Sequence, residues 1–270
     1  MSGFTTLTAV TRDDTDTFSL DIDPTSFIAR GPNGGYIAAV LLRALIARVD
    51  DLDSGALARP PRSLTVHYPA PPTAGPAVIT TEVIRAGRSL VTGAARLTQQ
   101  GKPMATALAA FSPAWPGETW NDRAAPEIPS PETIAYGGIE RPPLPFLDYW
   151  DHRFSKGRVV DPTGPAETEG WIRLAEPEPI DGPVVAAMTD AFPPAVFTRL
   201  AAPNPVPTVD LTIHFRAGLP MDGLEPDDFV LAQFRTHSVA EGFLEEDGEL
   251  WTPNGVLLAQ SRQLAIMLPG

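Results

Sequence analysis

Alternation of apolar and polar side chains marks most of this chain as strand. Residues 16–23 place Phe18, Leu20 and Ile22 on one face and mostly polar residues on the other. Residues 36–47 break that rhythm. They read Tyr-Ile-Ala-Ala-Val-Leu-Leu-Arg-Ala-Leu-Ile-Ala, rich in helix formers and apolar almost all round, which predicts a helix buried on most sides, as inside a curling sheet. The chain enters it through the tight turn Gly31-Pro32-Asn33-Gly34-Gly35. Strand-like runs follow at 63–68, 77–85, 89–99 and 104–111; their short, turn-rich connections predict an antiparallel meander.

Periodicity lapses from 112 to 145, where prolines concentrate, and this stretch reads as an extended, partly stiff linker. Beyond it come strand-like runs at 147–154 and 169–174, then a helical region at 183–200 that Pro193 and Pro194 end or kink. Strands at 208–215, 229–238, 242–251 and 256–268 close the series. The order repeats that of the first half. Residues 64–68 read Leu-Thr-Val-His-Tyr, and 147 positions later residues 211–215 read Leu-Thr-Ile-His-Phe. The shared order of elements around the two pentapeptides argues for duplication. At 270 residues the chain is near the size at which one core splits into two. The expected organisation is therefore a domain over 1–112, a linker over 113–145 and a domain over 146–270.

Composition narrows the chemistry. The chain has no cysteine, which removes disulfides, thiolate nucleophiles and zinc-thiolate sites together. His67, His152, His214 and His237 show no metal-ligand spacing. A formal net charge of -13 disfavours nucleic acid and anionic membrane as partners. The first 11 residues lack a basic region followed by an apolar segment, so no secretory signal is expected and the location reads as cytoplasmic. The longest apolar run, 36–49, contains Arg43 and Arg48 and is too short to span a bilayer. Residues 221–251 carry nine carboxylates against the single basic Arg235, which reads as a solvated acidic face.

The Gly34-Gly35 turn into an apolar helix, the Arg85-Ala86-Gly87-Arg88-Ser89 hairpin and the Gly101-Lys102-Pro103 turn resemble, in order and spacing, the type II acyl-CoA thioesterases. The resemblance spans nearly the whole chain. It implies an α+β fold of tandem hotdog domains (a double hotdog), each half a curved antiparallel sheet wrapped around a long central helix. It also implies hydrolysis of acyl-CoA thioesters to free fatty acid and CoA, without metal or organic cofactor. In that family an Asp on the second helix, a Thr or Ser at the next strand start and a Gln on the last strand are catalytic. Here Met188-Thr189-Asp190-Ala191-Phe192, Thr208-Val209-Asp210 and Ser261-Arg262-Gln263 are similar to those segments, so the resemblance points to Asp190, Thr208 and Gln263. The chain departs from the family where Trp-Phe-His-Arg commonly follows the Thr: it has His214-Phe215-Arg216-Ala217, and Leu211 stands where a His is common. Gly34 and Gly35, with Arg85, Arg88 and Arg96 to offset the negative charge of coenzyme A, are the candidate substrate-binding residues. Hotdog sheets pair edge to edge, so a homo-oligomer and a monomer are both allowed.

The chemistry of the trio is coherent. Thioester hydrolysis needs an aimed water, a base for its proton and donors for the developing oxyanion. A carboxylate in an apolar helix suits the base, because burial raises its pKa while hydrogen bonds keep it ionisable and oriented. On residues alone, Asp190 also reads as a helix cap, Thr208 as a turn residue and Gln263 as a surface position. By strict alternation Thr208 shares a face with Asp210, Thr212 and His214, so a place in the site requires a bulge or a position just before the strand. The first copy lacks this set: Pro61-Arg62-Ser63 replaces Thr-x-Asp, and no acid occurs between Tyr36 and Val49. No Gly-x-Ser-x-Gly elbow is present, and Gly31-Pro32-Asn33-Gly34-Gly35 lacks the Lys and Ser/Thr of a phosphate loop. A non-catalytic acyl-CoA- or lipid-binding protein is the alternative reading.

Overall fold

The computed structural model describes residues 3–28, 30–53, 57–134, 144–157, 159–200 and 205–268. The alternating segments become strands β1 (Thr17–Ile22), β2 (Pro61–His67), β3 (Gly75–Ala86), β4 (Val91–Gln99) and β5 (Lys102–Phe111) in the first half. In the second half they become β6 (Trp150–Lys156), β7 (Ala166–Leu174), β8 (Thr208–Phe215), β9 (Val230–Thr236), β10 (Phe243–Trp251) and β11 (Leu257–Ile266). With the two-residue strands Thr11–Arg12 and Val239–Ala240 they form one 13-stranded sheet. Its pairings are antiparallel, in the order β1-β3-β4-β5-β2-β8-β11-β10-β9-β7-β6, with Thr11–Arg12 outside β1.

The two pentapeptides meet at the middle of this sheet. β2 and β8 pair so that Thr65 faces Thr212, Leu64 faces Ile213 and Val66 faces Leu211. Repeat-equivalent threonines are thus direct partners, their hydroxyls 3.1 Å apart. An approximate two-fold axis therefore passes between them. The neighbours obey it: β5 flanks β2 as β11 flanks β8, and β4 follows β5 as β10 follows β11.

Helix α1 (Gly34–Asp50) packs on β2, β3, β4 and β5 and meets the shorter α2 (Gly182–Met188). One apolar core runs through both halves, joining Leu41, Leu42 and Leu45 of α1 to Val184 and Ala187 of α2 and Ile213 of β8. The expectation of a long helix in each half is corrected for the second. α2 ends at Met188, and only a 3₁₀ segment, Ala195–Arg199, forms after the prolines. Pro194 has no N–H to bond the Asp190 carbonyl and its ring would clash there, so the helix cannot run on.

The Pro-rich stretch, of which residues 135–143 lie outside the described residues, docks on the second half through its residues 125–134. Ala125, Ile128 and Ile134 pack on Trp171, Leu231 and Trp251 of β7, β9 and β10, and Trp171 Nε1 donates to the Pro129 carbonyl at 2.9 Å. Proline suits this role because an extended strap has no ladder donors to satisfy. No helix among the described residues is long and apolar enough to cross a membrane. Trp171→Ala is expected to destabilise the protein by about 3–5 kcal/mol through the cavity left under the strap. Trp171→Phe should cost only about 1 kcal/mol, the value of the lost hydrogen bond. Urea unfolding monitored with limited proteolysis of residues 113–134 checks both.

Candidate functional site

The interruption after α2 frees polar groups that a continuing helix would have paired. The Asp190 carbonyl, deprived of a partner by Pro194, accepts from Asn33 Nδ2 at 2.8 Å. The Ala191 carbonyl lies 3.0 Å from His152 Nε2, which must donate. The Ala195 N–H, which would have served Ala191, turns instead to a carboxylate oxygen of Glu246. Each substitution brings a side chain from another element against the break.

Asp190 itself sits at the start of α1, on the first half of the chain. Its Oδ2 accepts from Gly35 N at 3.0 Å and from Asn33 Nδ2 at 3.1 Å. Asn33 has two duties, because its Oδ1 also caps α1 by accepting from Tyr36 N at 3.0 Å. The glycines are required by the close approach. A Cβ on Gly34 would fall 2.9 Å from Asp190 Oδ2, and one on Gly35 only 2.6 Å from the Ala187 carbonyl oxygen. Burial pushes the Asp190 pKa up to about 6, held back from a larger rise by the N–H groups of Gly35 and Gly34 and by Asn33. The positive end of α1 also favours the ionised form. Tyr68 closes one side, donating its hydroxyl to the Gly34 carbonyl at 2.9 Å. Burial, with the charges of Asp190 and Asp210, raises its pKa and keeps it neutral.

Thr208 and Gln263 meet on adjacent strands. The β8–β11 register slips between Thr208 and Asp210, so Val209 is an extra residue and Thr208 pairs with Ala265. This bulge answers the parity problem: Thr208 lies on the Gln263 side of the sheet, and its hydroxyl donates to Gln263 Oε1 at 2.9 Å. Gln263 Nε2 in turn donates to Glu246 Oε1 at 2.8 Å. Glu246 is 5% exposed, its pKa pushed up to about 7 by burial and, more weakly, by the charges of Asp190 and Glu245. That position corrects the reading of 221–251 as a wholly solvated acidic face. Along β10, Leu244, Glu246, Gly248 and Leu250 are the buried alternation, and Glu246 falls on it. The same alternation in the sequence was a usable signal. Asn33 and Tyr68 had none, since only the fold brings them to Asp190.

The approximate two-fold supplies an internal control. The first-half counterpart of the bulge is present, between Pro61 and Ser63. By strand register, Pro61, Ala109 and Gly93 occupy the places of Thr208, Gln263 and Glu246. Counted from the N-caps Asn33 and Asp181, Leu42 stands where Asp190 does and lies against Gly182 as Asp190 lies against Gly34; the next residue, Arg43, pairs through Nη1 at 3.1 Å with Asp181. The geometry was copied, but the polar set exists once.

Arg85 and Arg88 are not brought to Asp190. They lie toward the β3–β4 turn, at the Pro61 end of the strands, whereas Asp190 lies beyond the His67 end. Arg96 lies at the level of His67 through Thr106, yet it is exposed between buried Ala95 and Leu97 and so faces away from α1. Gly34 and Gly35 are at the site, but they serve Asp190 itself. Among the described residues, His237, Glu245 and Asp247 bring ligand-type atoms within 4.8 Å of one another. Asp247 is bound to Arg262 at 2.6 and 2.7 Å, and Glu245 accepts from the His237 and Ser238 N–H groups, so this is a surface polar network.

Comparisons with known proteins agree with this architecture. Residues 22–112 match the model of the acyl-CoA thioesterase N-terminal domain, and residues 124–267 match that of the C-terminal domain. The thioesterase-like protein TwmA of Talaromyces wortmannii is 24% identical, over 94% of this chain and 89% of its own. A conserved hot dog fold protein of unknown function from Alicyclobacillus acidocaldarius superposes with a TM-score of 0.88 at 27% identity, covering 99% of this chain and 98% of that one. The acyl-CoA thioesterase II TesB2 of Mycobacterium marinum shares the fold, with a TM-score of 0.79 at 21% identity over 99% of both chains.

The raised Asp190 pKa has a stability consequence. The folded state binds this proton more tightly than the unfolded chain, so the group's contribution is greatest below about pH 4 and is lost as pH rises through about 6. Asp190→Asn is therefore expected to be more stable than the parent protein near pH 8, by on the order of 2 kcal/mol, and the two should converge near pH 4. Denaturant midpoints across that range measure it.

Proposed function

The chain belongs to the acyl-CoA thioesterase family, and from that premise we propose that it hydrolyses acyl-CoA thioesters with Asp190, Thr208 and Gln263 as the catalytic set. We read its halves as two fused hotdog units, of which the second retains the chemistry. The observation that carries the proposal is Asp190: a carboxylate among N–H donors, with a pKa of about 6, is ionised at neutral pH yet basic enough to take a proton.

Asp190 removes a proton from a water as the water oxygen attacks the thioester carbonyl carbon. The tetrahedral intermediate collapses with cleavage of the C–S bond. The proton held on Asp190 returns to the departing thiolate, giving a free acid and coenzyme A. Thr208 and Gln263, linked across β8 and β11, hold the water against this base. No organic group or metal is needed to balance these steps.

The test is release of free thiol from acyl-CoAs of increasing chain length. Asp190→Asn is expected to lower kcat by about 10²- to 10⁴-fold while leaving acyl-CoA binding nearly unchanged. Full turnover in that variant removes Asp190 from the mechanism. Saturable binding by the parent protein without thiol release identifies instead a non-catalytic acyl-CoA-binding protein.

A further inference from the structure

We infer that Glu246 is a positioning residue that sets the direction of the hydrogen bonds through Gln263 and Thr208, and so decides which way Thr208 presents its hydroxyl. This rests on the catalytic set proposed above. The chain of bonds runs from the Ala195 N–H to Glu246 Oε2, from Gln263 Nε2 to Glu246 Oε1, and from Thr208 Oγ1 to Gln263 Oε1. An ionised carboxylate only accepts, so Glu246 fixes the Gln263 amide with its NH₂ inward and its carbonyl toward Thr208. The Thr208 hydroxyl hydrogen is thereby spent on Gln263. Only oxygen lone pairs remain for a water.

Such a water gives one hydrogen to Thr208 and one to Asp190, which leaves its own lone pair for the carbonyl carbon. With Gln263 reversed, its NH₂ would donate to Thr208 and the Thr208 hydrogen would point at the water, tying up that lone pair. Glu246 therefore acts through Gln263 without touching substrate. Its buried setting explains why a charged residue is tolerated there: both oxygens have donors. In the first half, where Gly93 and Ala109 stand at the corresponding positions, no such relay exists.

The ionisable groups bearing on Glu246 are Asp190, beyond the end of α2, and Glu245 on its own strand; Gln263 and Ala195, from β11 and the 3₁₀ segment, contribute neutral donors. Protonating Glu246 would replace one acceptor by a donor and favour the reversed amide. Activity should then require two deprotonated carboxylates. The acid limb of kcat against pH is expected to be steeper than first order, with apparent ionisations near about 6 and about 7.

Glu246→Gln cannot satisfy both the Ala195 N–H and the Gln263 NH₂ without turning Gln263 round. It is expected to lower kcat about 10- to 100-fold with KM within about twofold, and to reduce the acid limb to first order. The exchange E246Q/Q263E restores the pattern: the amide introduced on β10 accepts from the Ala195 N–H and donates to the carboxylate introduced on β11, which again accepts from Thr208. On its alkaline plateau the double variant should recover at least about tenfold over Glu246→Gln. A role in filling space predicts no such rescue.

An unchanged kcat in Glu246→Gln overturns the inference and leaves the hydrolase reading intact. So does an exchange variant no better than the single one, as does a loss matching Asp190→Asn without rescue, which would make Glu246 a reacting group. If Glu246→Gln does not fold, the parent's acid limb decides: first order overturns the inference. Absence of thiol release from the parent overturns both readings.

Discussion

The Pro193-Pro194 pair is the constraint on which the site depends. In a helix that ran on, the Asp190 and Ala191 carbonyls would be consumed internally, and so would the Ala195 N–H. Two imino acids prevent that, and every freed group finds a partner on a different element: Asn33 before α1, His152 on β6 and Glu246 on β10. The acid is thus anchored to the first half of the chain by both its backbone and its side chain. The cost of an interrupted helix is offset locally, because each of these three freed groups is paired again within the fold.

The frame is close to two-fold symmetric, and the polar set within it is not. β2 and β8 join through equivalent threonines, each half carries a bulge at the same place, and the helix starts are capped by Asn33 and Asp181 in corresponding positions. What differs is charge and size. Leu42 puts an apolar side chain at the first-half position, with the Arg43–Asp181 ion pair beside it, while Asp190 places an ionisable group in the second. The neighbouring Arg43–Asp181 pair clamps the two helices together.

Much of the fold was legible in the sequence because it rests on local patterns. Strand alternation, the apolar run of α1 and the repeated pentapeptide give the sheets, the helix and the symmetry with small boundary errors. Pro193 and Pro194 announced an interruption but not that α2 stops as early as Met188. Asp190, Thr208 and Gln263 were reached through resemblance, and the bulge at Val209 removed the parity objection to Thr208. Glu246 was hidden by its acidic neighbours, although its step in the Leu244–Leu250 alternation gave its burial away. Trp171 shows the converse: strap docking depends on an outer sheet face that composition cannot reveal.

The junction between β2 and β8 also bears on the order in which the chain assembles. Contacts such as β3 with β4, or β10 with β11, close short loops, whereas the Thr65–Thr212 contact spans 147 residues. Loop-closure entropy favours forming the local pairs before the distant one. The Asn33–Asp190 bond spans 157 residues and belongs to the same late step. During refolding, Asp190 therefore acquires its donors only when the halves dock, and burial of its carboxylate reports that docking rather than the folding of either meander.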